Sequence, residues 1–181
     1  MEGDERLRLF CALLLPGTTI DEIVAWQSRE LDPFAGPVRI VAAGNLHVTL
    51  AFLGSVETSR VPEIVGALRD AVPGRELPVL SALRYRETRS VAMIELADEQ
   101  GRAGLIAESL WEGLERLGVY ERESRKWRPH VTVARFRARP RLSPSVPDLG
   151  AVVPSDAAVM ISRLRPGGAQ YEVLESVSLG G

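Results

Sequence analysis

The sequence predicts an α+β fold built on antiparallel sheets. Strand-like segments come mostly in pairs, in the order β, α, β, β, α, β, β, α, β, β, β, whereas parallel strands would need a helix in each crossover. The 181 residues suffice for one full-sized domain or for two small lobes that share a cleft. Hydrophobic residues make up 45% and charged residues 25%, which is typical of a globular chain with a buried core.

The first half of the chain combines three strands with two helices. Alternating apolar and polar positions predict strands over residues 6–14, 38–41 and 46–53. The last two are expected to form a hairpin that Gly54 closes. A capping-box pattern that begins at Thr19 predicts a helix, which ends before Pro33. A second helix is expected over residues 59–72, and Pro73 ends it.

The second half of the chain adds five strands and one helix. Apolar runs and alternation predict strands over residues 77–85, 91–96, 130–136, 157–164 and 170–177. The charged segment 86–89 suits a hairpin turn between the first two of these strands. Apolar residues at three- and four-residue steps over 105–117 predict the third helix, and Gly118 is placed for its C-cap. Segment 137–154, rich in Pro, Arg and Ser, is expected to be a surface loop.

Composition and charge exclude several classes of protein. The longest apolar run near the N-terminus ends at Pro16 and is far shorter than the roughly 18 residues of a membrane span. Acidic residues precede it where a signal peptide has a basic head, so a cytoplasmic protein without membrane contact is expected. Cys11 is the single cysteine, which excludes an intrachain disulfide and a cysteine-based zinc site. Because the net charge is −2, any RNA substrate is expected to be small or an RNA end.

The two histidines of the chain occur in the same local pattern. One apolar residue separates His47 from Thr49, and one separates His130 from Thr132. Because residues i and i+2 of a strand share a face, each strand is expected to present an imidazole beside a hydroxyl on its non-core face. Two imidazoles can supply a base and an acid near neutral pH, and hydroxyls donate well to phosphate oxygens. The duplicated pattern therefore indicates phosphodiester hydrolysis without a metal.

Four segments of the chain are informative when taken together. They are RLFCAL at 8–13, NLHVTLAFLG at 45–54, WRPHVTVAR at 127–135 and SRLRPGGAQYEVL at 162–174. In this order they resemble the 2H phosphoesterase superfamily, and within it the RNA 2′,3′-cyclic phosphodiesterases, historically called 2′-5′ RNA ligases. The resemblance covers nearly the full length. It implies one bilobal domain over residues 1–181, with two antiparallel sheets and outer helices related by a pseudo-twofold axis around a central cleft.

The resemblance also implies how the two patterns act together. His47 and His130 would flank the phosphate, while Thr49 and Thr132 would bind its non-bridging oxygens. One histidine would take a proton from water and the other would protonate the departing O3′, leaving a 2′-phosphate; we assign His130 as the base and His47 as the acid. A 5′-hydroxyl in place of water, with the steps run backward, would give 2′-5′ ligation. The implied partners are RNA ends with a 2′,3′-cyclic phosphate, tRNA fragments among them, and the implied enzyme is a monomer without a cofactor.

Four further residues are candidates for substrate contact. They are Arg135, Phe10, Tyr171 and Ser162. Strict alternation from His130 places Arg135 on the opposite face, so its role at the cleft edge requires a bulge in the strand. Phe10 faces away from the core residues of its own strand, which would let it stack on a nucleobase. Phe52, by the same alternation, is expected to lie in the core.

Basic residues are concentrated around the second pattern. They are Arg122, Arg125, Lys126, Arg128, Arg135, Arg137, Arg139 and Arg141. A cluster of this kind is expected to guide the phosphates of RNA toward the site.

Three alternatives stay open on the sequence alone. The first is a 2H phosphodiesterase that acts on small cyclic nucleotides or on cyclic ADP-ribose phosphate. The second is an RNA-binding module without turnover, against which the presence of both histidines and both threonines argues. The third is metal-dependent hydrolysis, which is weaker because the chain lacks an HExxH or comparable set of ligands.

Overall fold

The computed structural model of the chain describes residues 5–34, 36–72, 74 and 76–180. Its strands are β1 (Arg6–Leu14), β2 (Val38–Ile40), β3 (His47–Glu57), β4 (Ser81–Glu87), β5 (Val91–Ala97), β6 (His130–Phe136), β7 (Asp156–Arg165) and β8 (Gly168–Ser178). Its helices are α1 (Gly17–Glu30), α2 (Val61–Ala71) and α3 (Arg102–Arg116). No helix within these ranges is long and apolar enough to cross a membrane.

The eight strands form one antiparallel sheet, in the order β4-β5-β6-β3-β1-β7-β8 with β2 added to β6. The predicted α+β class is confirmed. In the described chain, β3 and β6 are joined at a single residue pair, Val48 and Val131, in the middle of the sheet. The sheet therefore consists of two groups of four strands, which correspond to the two sheets that the resemblance implied.

Helices and sheet enclose the main core on one face of the sheet. α2 packs against α3, and Trp26 of α1 lies 6.1 Å from Tyr85 of β4 between ring centres. Fully buried side chains of this core include Leu9, Leu13, Ile23, Ile64, Leu68 and Leu110. Burying one such side chain contributes about 1.5–3 kcal/mol, so this core stabilises the strands that carry the two histidines. A smaller buried cluster lies on the other face of the sheet and comprises Phe10, Ala12, Ala158 and Met160.

The hairpin predicted from residues 38–41 and 46–53 is wrong. β2 pairs with β6, and β3 pairs with β1 on its other edge. The Val41 backbone N–H continues the β2–β6 pairing by donating to Val133 O of β6, and a 3-10 turn over Ala43–Asn45 then redirects the chain toward β3. Nearness in sequence therefore did not decide the pairing, because the edge of β6 offered β2 a partner.

Two strands run two or more residues beyond their predicted C-terminal ends. β3 continues through Gly54, which adopts a positive φ of 69° where the β1–β3 register shifts, so this glycine accommodates a bulge within the strand. β4 includes Arg86 and Glu87, and only residues 88–90 form the turn to β5. The β4–β5 hairpin itself is confirmed.

The helix ends follow the sequence signals only in part. α1 begins at Gly17 behind Pro16, whose carbonyl accepts from the Ile20 N–H, and no side chain caps it. The capping box predicted at Thr19 is therefore wrong, and Thr19 is buried inside the first turn. Gly118 adopts a φ of 69° just after α3, as predicted. Pro73, expected to end the second helix, lies outside the described residues.

Candidate active site

The two histidine patterns meet at the junction of β3 and β6. Val48 and Val131 pair there with both side chains buried in the core. Counted outward from that pair, the antiparallel register makes Thr49 face His130 and His47 face Thr132. A rotation that exchanges the two strands about this pair therefore places each histidine pattern on the position of the other. We call the face that carries these four side chains the motif face.

Both imidazoles are oriented by the same backbone contact. Nδ1 of His47 lies 2.8 Å from Asn45 O, and Nδ1 of His130 lies 2.9 Å from Arg128 O. Because a carbonyl oxygen only accepts, Nδ1 carries the proton in each ring, and Nε2 is left for chemistry. Nε2 of His47 accepts from the Thr49 hydroxyl at 2.9 Å.

The His47 imidazole is neutral in the free protein. Burial lowers the pKa of His47 to about 4, although the hydrogen bond to Asn45 O raises it. The nearby charges of His130 and Arg135 lower this pKa further, so both side chains lie close enough to influence the ring. Because Val48 pairs with Val131, the two imidazoles lie on adjacent strands and belong to one site.

Each motif strand carries a bulge three residues after its histidine. The β1–β3 register passes from Ala51 to Thr49 and leaves Leu50 unpaired, while the β5–β6 register passes from Ala134 to Thr132 and leaves Val133 unpaired. An extra residue reverses the alternation of the side chains that follow it.

The bulges place Phe52 and Arg135 on the motif face, at equivalent positions of the two strands. Phe52 is 59% exposed, so its predicted core position is wrong. Arg135 is exposed beside His47, and the bulge that its predicted role required is present. Sequence reasoning missed Phe52 because strict alternation hides a bulge; the equal spacing of Phe52 and Arg135 from the two histidines was the available signal.

Helix side chains hold both bulges. Trp111 Nε1 of α3 donates to Leu50 O at 2.9 Å, and Gln27 Nε2 of α1 donates to Val133 O at 2.9 Å. The Gln27 side chain is buried and also donates to Val41 O at 3.0 Å. Each bulge carbonyl thus has a donor from the helix layer, which stabilises the geometry that presents Phe52 and Arg135.

We expect Gln27→Met to lower the free energy of unfolding by about 1–3 kcal/mol, because the buried carbonyl of Val133 and the half-buried carbonyl of Val41 lose their donor. Urea unfolding measures the change. Gln170→Met is the matched control, since Gln170 is exposed on β8 and its replacement is expected to change stability by less than about 0.5 kcal/mol. Equal losses in the two variants would contradict the role of Gln27.

Phe10 forms the base of the site and is not an exposed platform. Its exposed fraction is 0%, which corrects the expectation that it stacks on a nucleobase. The side chain does point away from the main core, but the rings of His47 and Tyr171 cover it, each 4.9 Å away between centres. Phe10 therefore packs against the catalytic candidate His47 from below.

The β7–β8 hairpin closes over His47. Tyr171 makes an edge-on contact with the His47 ring at 5.3 Å, so this candidate is brought to the site. Asn45 fastens the hairpin: its Nδ2 donates to Ala169 O at 2.8 Å, and its Oδ1 accepts from the Tyr171 N–H at 3.2 Å. Ser162 lies opposite Tyr171 in the β7–β8 ladder, and no described contact joins it to either histidine. Sequence reasoning did not assign Asn45 a role, although it lies two residues before His47.

The described part of the chain contains no candidate metal site, that is, no group of three or more His, Cys, Asp or Glu side chains that could hold a metal ion. Cys11 is buried, and burial raises the pKa of its thiol to about 12. The thiol is therefore kept protonated in the core, as expected for a packing residue.

Known proteins resemble the chain in both sequence and structure. The model of the family described as LigT-like phosphoesterases matches residues 13–89. An RNA 2′,3′-cyclic phosphodiesterase of Escherichia coli is 35% identical over 136 residues, which cover 72% of this chain and 73% of that protein. Another, of Thermus thermophilus, is 32% identical over 185 residues, covering 97% and 91% of the two proteins.

Solved structures share the whole fold. The crystal structure of TT0787 of Thermus thermophilus superposes with a TM-score of 0.80 at 29% identity and covers 97% of this chain and 99% of that one. Escherichia coli LigT complexed with NADP+ gives a TM-score of 0.78 at 26% identity, with coverage of 98% and 100%. The chain belongs to the LigT-like phosphoesterase family of the 2H superfamily.

Proposed function

We propose that this chain is a phosphoric diester hydrolase that opens the 2′,3′-cyclic phosphate at RNA ends and leaves a 2′-phosphate. The observation that carries the proposal is the pairing of Val48 with Val131, which places the two histidine patterns on adjacent strands, with the Thr49 hydroxyl bonded to the His47 imidazole. The names of the Escherichia coli and Thermus thermophilus relatives support the substrate. An acid, a base and two hydroxyl donors complete the reaction without a metal.

The proposed reaction is an in-line displacement at phosphorus. The hydroxyls of Thr49 and Thr132 donate to the non-bridging oxygens, where negative charge builds in the transition state. A water oxygen forms a new bond to phosphorus as one imidazole takes its proton. The bond from phosphorus to O3′ breaks, and the other imidazole protonates O3′. A 5′-hydroxyl attacking in place of water gives the 2′-5′ ligation implied by the resemblance.

The sequence analysis assigned His130 as the base and His47 as the acid, but the environment of His47 favours the opposite assignment. A general base must be neutral before the reaction, and the lowered pKa of His47 keeps it neutral in the free protein. An acid at this position would have to gain its proton in a site that disfavours the charged ring. We therefore propose His47 as the base and His130 as the acid for hydrolysis.

The pH dependence tests this assignment. If His47 is the base, kcat/KM is expected to stay high as the pH falls through 6 and to decline only toward a pKa of about 4, since kcat/KM reports the free enzyme. Below that pKa, protonated His47 cannot accept from water, and the rate falls about tenfold per pH unit. Steady-state rates between pH 3.5 and 9 measure the profile. NMR titration of the two imidazoles, with His130→Ala to assign them, shows which ring titrates near 4; an acidic limb that persists in His47→Ala would refute the assignment.

One assay tests the function itself. The protein is incubated with an oligonucleotide that ends in a 2′,3′-cyclic phosphate, with and without EDTA, and the product phosphate is located by ³¹P NMR. The proposal expects a 2′-phosphate at the same rate in both. No turnover would favour the RNA-binding module, loss of turnover in EDTA would favour metal hydrolysis, and faster turnover of small cyclic nucleotides or cyclic ADP-ribose phosphate would favour that substrate class.

The proposal also covers the domain organisation, the oligomeric state, the location and the RNA substrates of the enzyme. We propose that residues 1–181 act as one bilobal domain, that the enzyme is a monomer in the cytoplasm, and that tRNA fragments are among its RNA ends. The hydrogen bonding that links the strands from β4 to β8 into one antiparallel sheet supports a single unit. Light scattering after gel filtration measures the oligomeric state.

A further inference from the structure

Beside the motif face, β5 and β4 extend the sheet away from the second pattern. Glu95 of β5 lies directly opposite His130, and Arg84 of β4 lies opposite Glu95. One row further, Met93 lies opposite Thr132 and Arg86 opposite Met93. Directly opposed residues share a face, so these side chains continue the motif face toward the sheet edge.

Three arginines surround the buried carboxylate of Glu95, whose side chain is 3% exposed. Arg84 Nε donates to Oε2 at 2.6 Å and Arg86 Nη1 donates to Oε1 at 2.8 Å, while Arg128 Nη1 lies 4.0 Å from Oε2. Burial raises the pKa of Glu95, but the hydrogen bonds from Arg84 and Arg86 lower it below its ordinary value, so the carboxylate is charged. One negative charge therefore faces three positive ones.

The surplus positive charge is open to solvent. The side chains of Arg84, Arg86 and Arg128 are 51%, 49% and 57% exposed. With Arg139 they line a groove of about 420 Å³ at the edge of β4. Arg139 is held there by Glu87, to which its Nε donates at 3.1 Å. The groove thus presents fixed guanidinium groups with free donors, which suit the oxygens of a phosphate.

We propose that this groove, here called the arginine groove, binds the phosphodiester on the 5′ side of the terminal nucleotide while the cyclic phosphate lies between the histidines. The inference rests on the proposed function and adds the means by which a polynucleotide is preferred to a mononucleotide. β4 lies two strands from β6, a distance of about 10 Å, so a neighbouring phosphate of the same chain can reach it. Glu95 acts as the positioning residue that assembles the arginines.

The arginine groove differs from the basic cluster expected over residues 122–141. In the structure, Arg122 pairs with Glu115 and Arg125 pairs with Glu123. Of that cluster, only Arg128 and Arg139 line the groove. The other two arginines of the groove, Arg84 and Arg86, come from β4. Sequence proximity to the second pattern therefore did not identify which guanidinium groups gather.

The test compares two substrates that end in the same nucleotide, a mononucleotide 2′,3′-cyclic phosphate and a trinucleotide with the same cyclic end. Arg128→Gln and the double variant Arg84→Gln/Arg86→Gln are each expected to lower kcat/KM for the trinucleotide about tenfold and to leave the mononucleotide within about twofold. Arg125→Gln is the matched control, since that arginine pairs with Glu123 away from the groove, and it is expected to change neither substrate.

Binding supplies a readout that does not depend on turnover. The binding constant for a trinucleotide that ends in a 2′-phosphate is measured at several salt concentrations. The slope of its logarithm against the logarithm of salt concentration is expected to become shallower by about 0.7 for each phosphate contact removed. The double variant leaves Glu95 with one distant partner, so circular dichroism checks its fold; Arg128→Gln keeps both short bonds to Glu95 and decides the question if the double variant is unfolded.

The outcomes separate the two proposals. If wild-type protein turns over neither substrate, the proposed function fails, and the salt slopes still judge the arginine groove. If wild-type protein turns over both substrates and the folded variants alter both equally or neither, the groove proposal is overturned while the function stands. Unchanged salt slopes in the variants overturn the groove in either case.

Discussion

His47→Ala and His130→Ala are each expected to lower kcat by about two to four orders of magnitude, the loss usual for a missing general acid or base. The Val48–Val131 pair places the two rings on adjacent strands, and each is oriented by its own Nδ1 hydrogen bond. Single-turnover rates with an oligonucleotide that ends in a cyclic phosphate measure the effect. Binding of the 2′-phosphate product is expected to persist largely.

The double variant His47→Ala/His130→Ala provides a further test of acid-base catalysis. Because both imidazoles serve one proton-transfer sequence, removing both is expected to cost far less than the product of the single losses. His47→Gln fills the space above Phe10 without a titratable ring, so it separates lost chemistry from lost packing. A His47→Gln variant that keeps more than about a tenth of the wild-type rate would contradict acid-base catalysis by this ring.

Thr49→Val and Thr132→Val are each expected to lower kcat by about two to three orders of magnitude, the cost of removing a hydroxyl donor from a developing oxyanion. Valine keeps the shape of threonine, so the loss reports the hydrogen bond. In Thr49→Val the His47 ring also loses its partner at Nε2. The rate of the chemical step, measured at saturating substrate, shows the effect.

Serine variants and a distant threonine provide the controls for this pair. Thr49→Ser and Thr132→Ser keep the hydroxyl and are expected to recover most of the rate. Thr58→Val removes a hydroxyl that donates to Glu5 O at 2.6 Å, at the far end of β3, and is expected to leave kcat unchanged. A rate loss in the serine variants as large as in the valine variants would show that the hydroxyls do not act as donors.

Local pattern predicted much of the fold. β1 and β6 have the ends that the sequence predicted. Gly118 follows α3 with the backbone that only glycine adopts easily. The pairing of β2 with β6 was not predictable in this way, since residues 38 and 136 are brought together only when the whole sheet assembles.

Alternation also explains why part of the site was missed. It holds along a strand until an extra residue is inserted, and the carbonyls of Leu50 and Val133 are accommodated by side chains from distant helices, Trp111 and Gln27. The sequence of neither strand predicts these hydrogen bonds from the helices. The exposed position of Phe52 and the arrival of Arg135 beside His47 therefore depend on contacts that are local in space and remote in sequence.

The sequence by itself determined which groups we propose for the chemistry, because two histidines and two threonines at equal spacing on predicted strands offer an acid, a base and two donors. Tertiary structure alone decided that these groups meet at the Val48–Val131 pair, that Phe10 lies beneath His47, and that burial keeps the His47 ring neutral. The physical reason is that solvation and neighbouring charge are properties of the assembled site, whereas side-chain type and strand periodicity are properties of the chain.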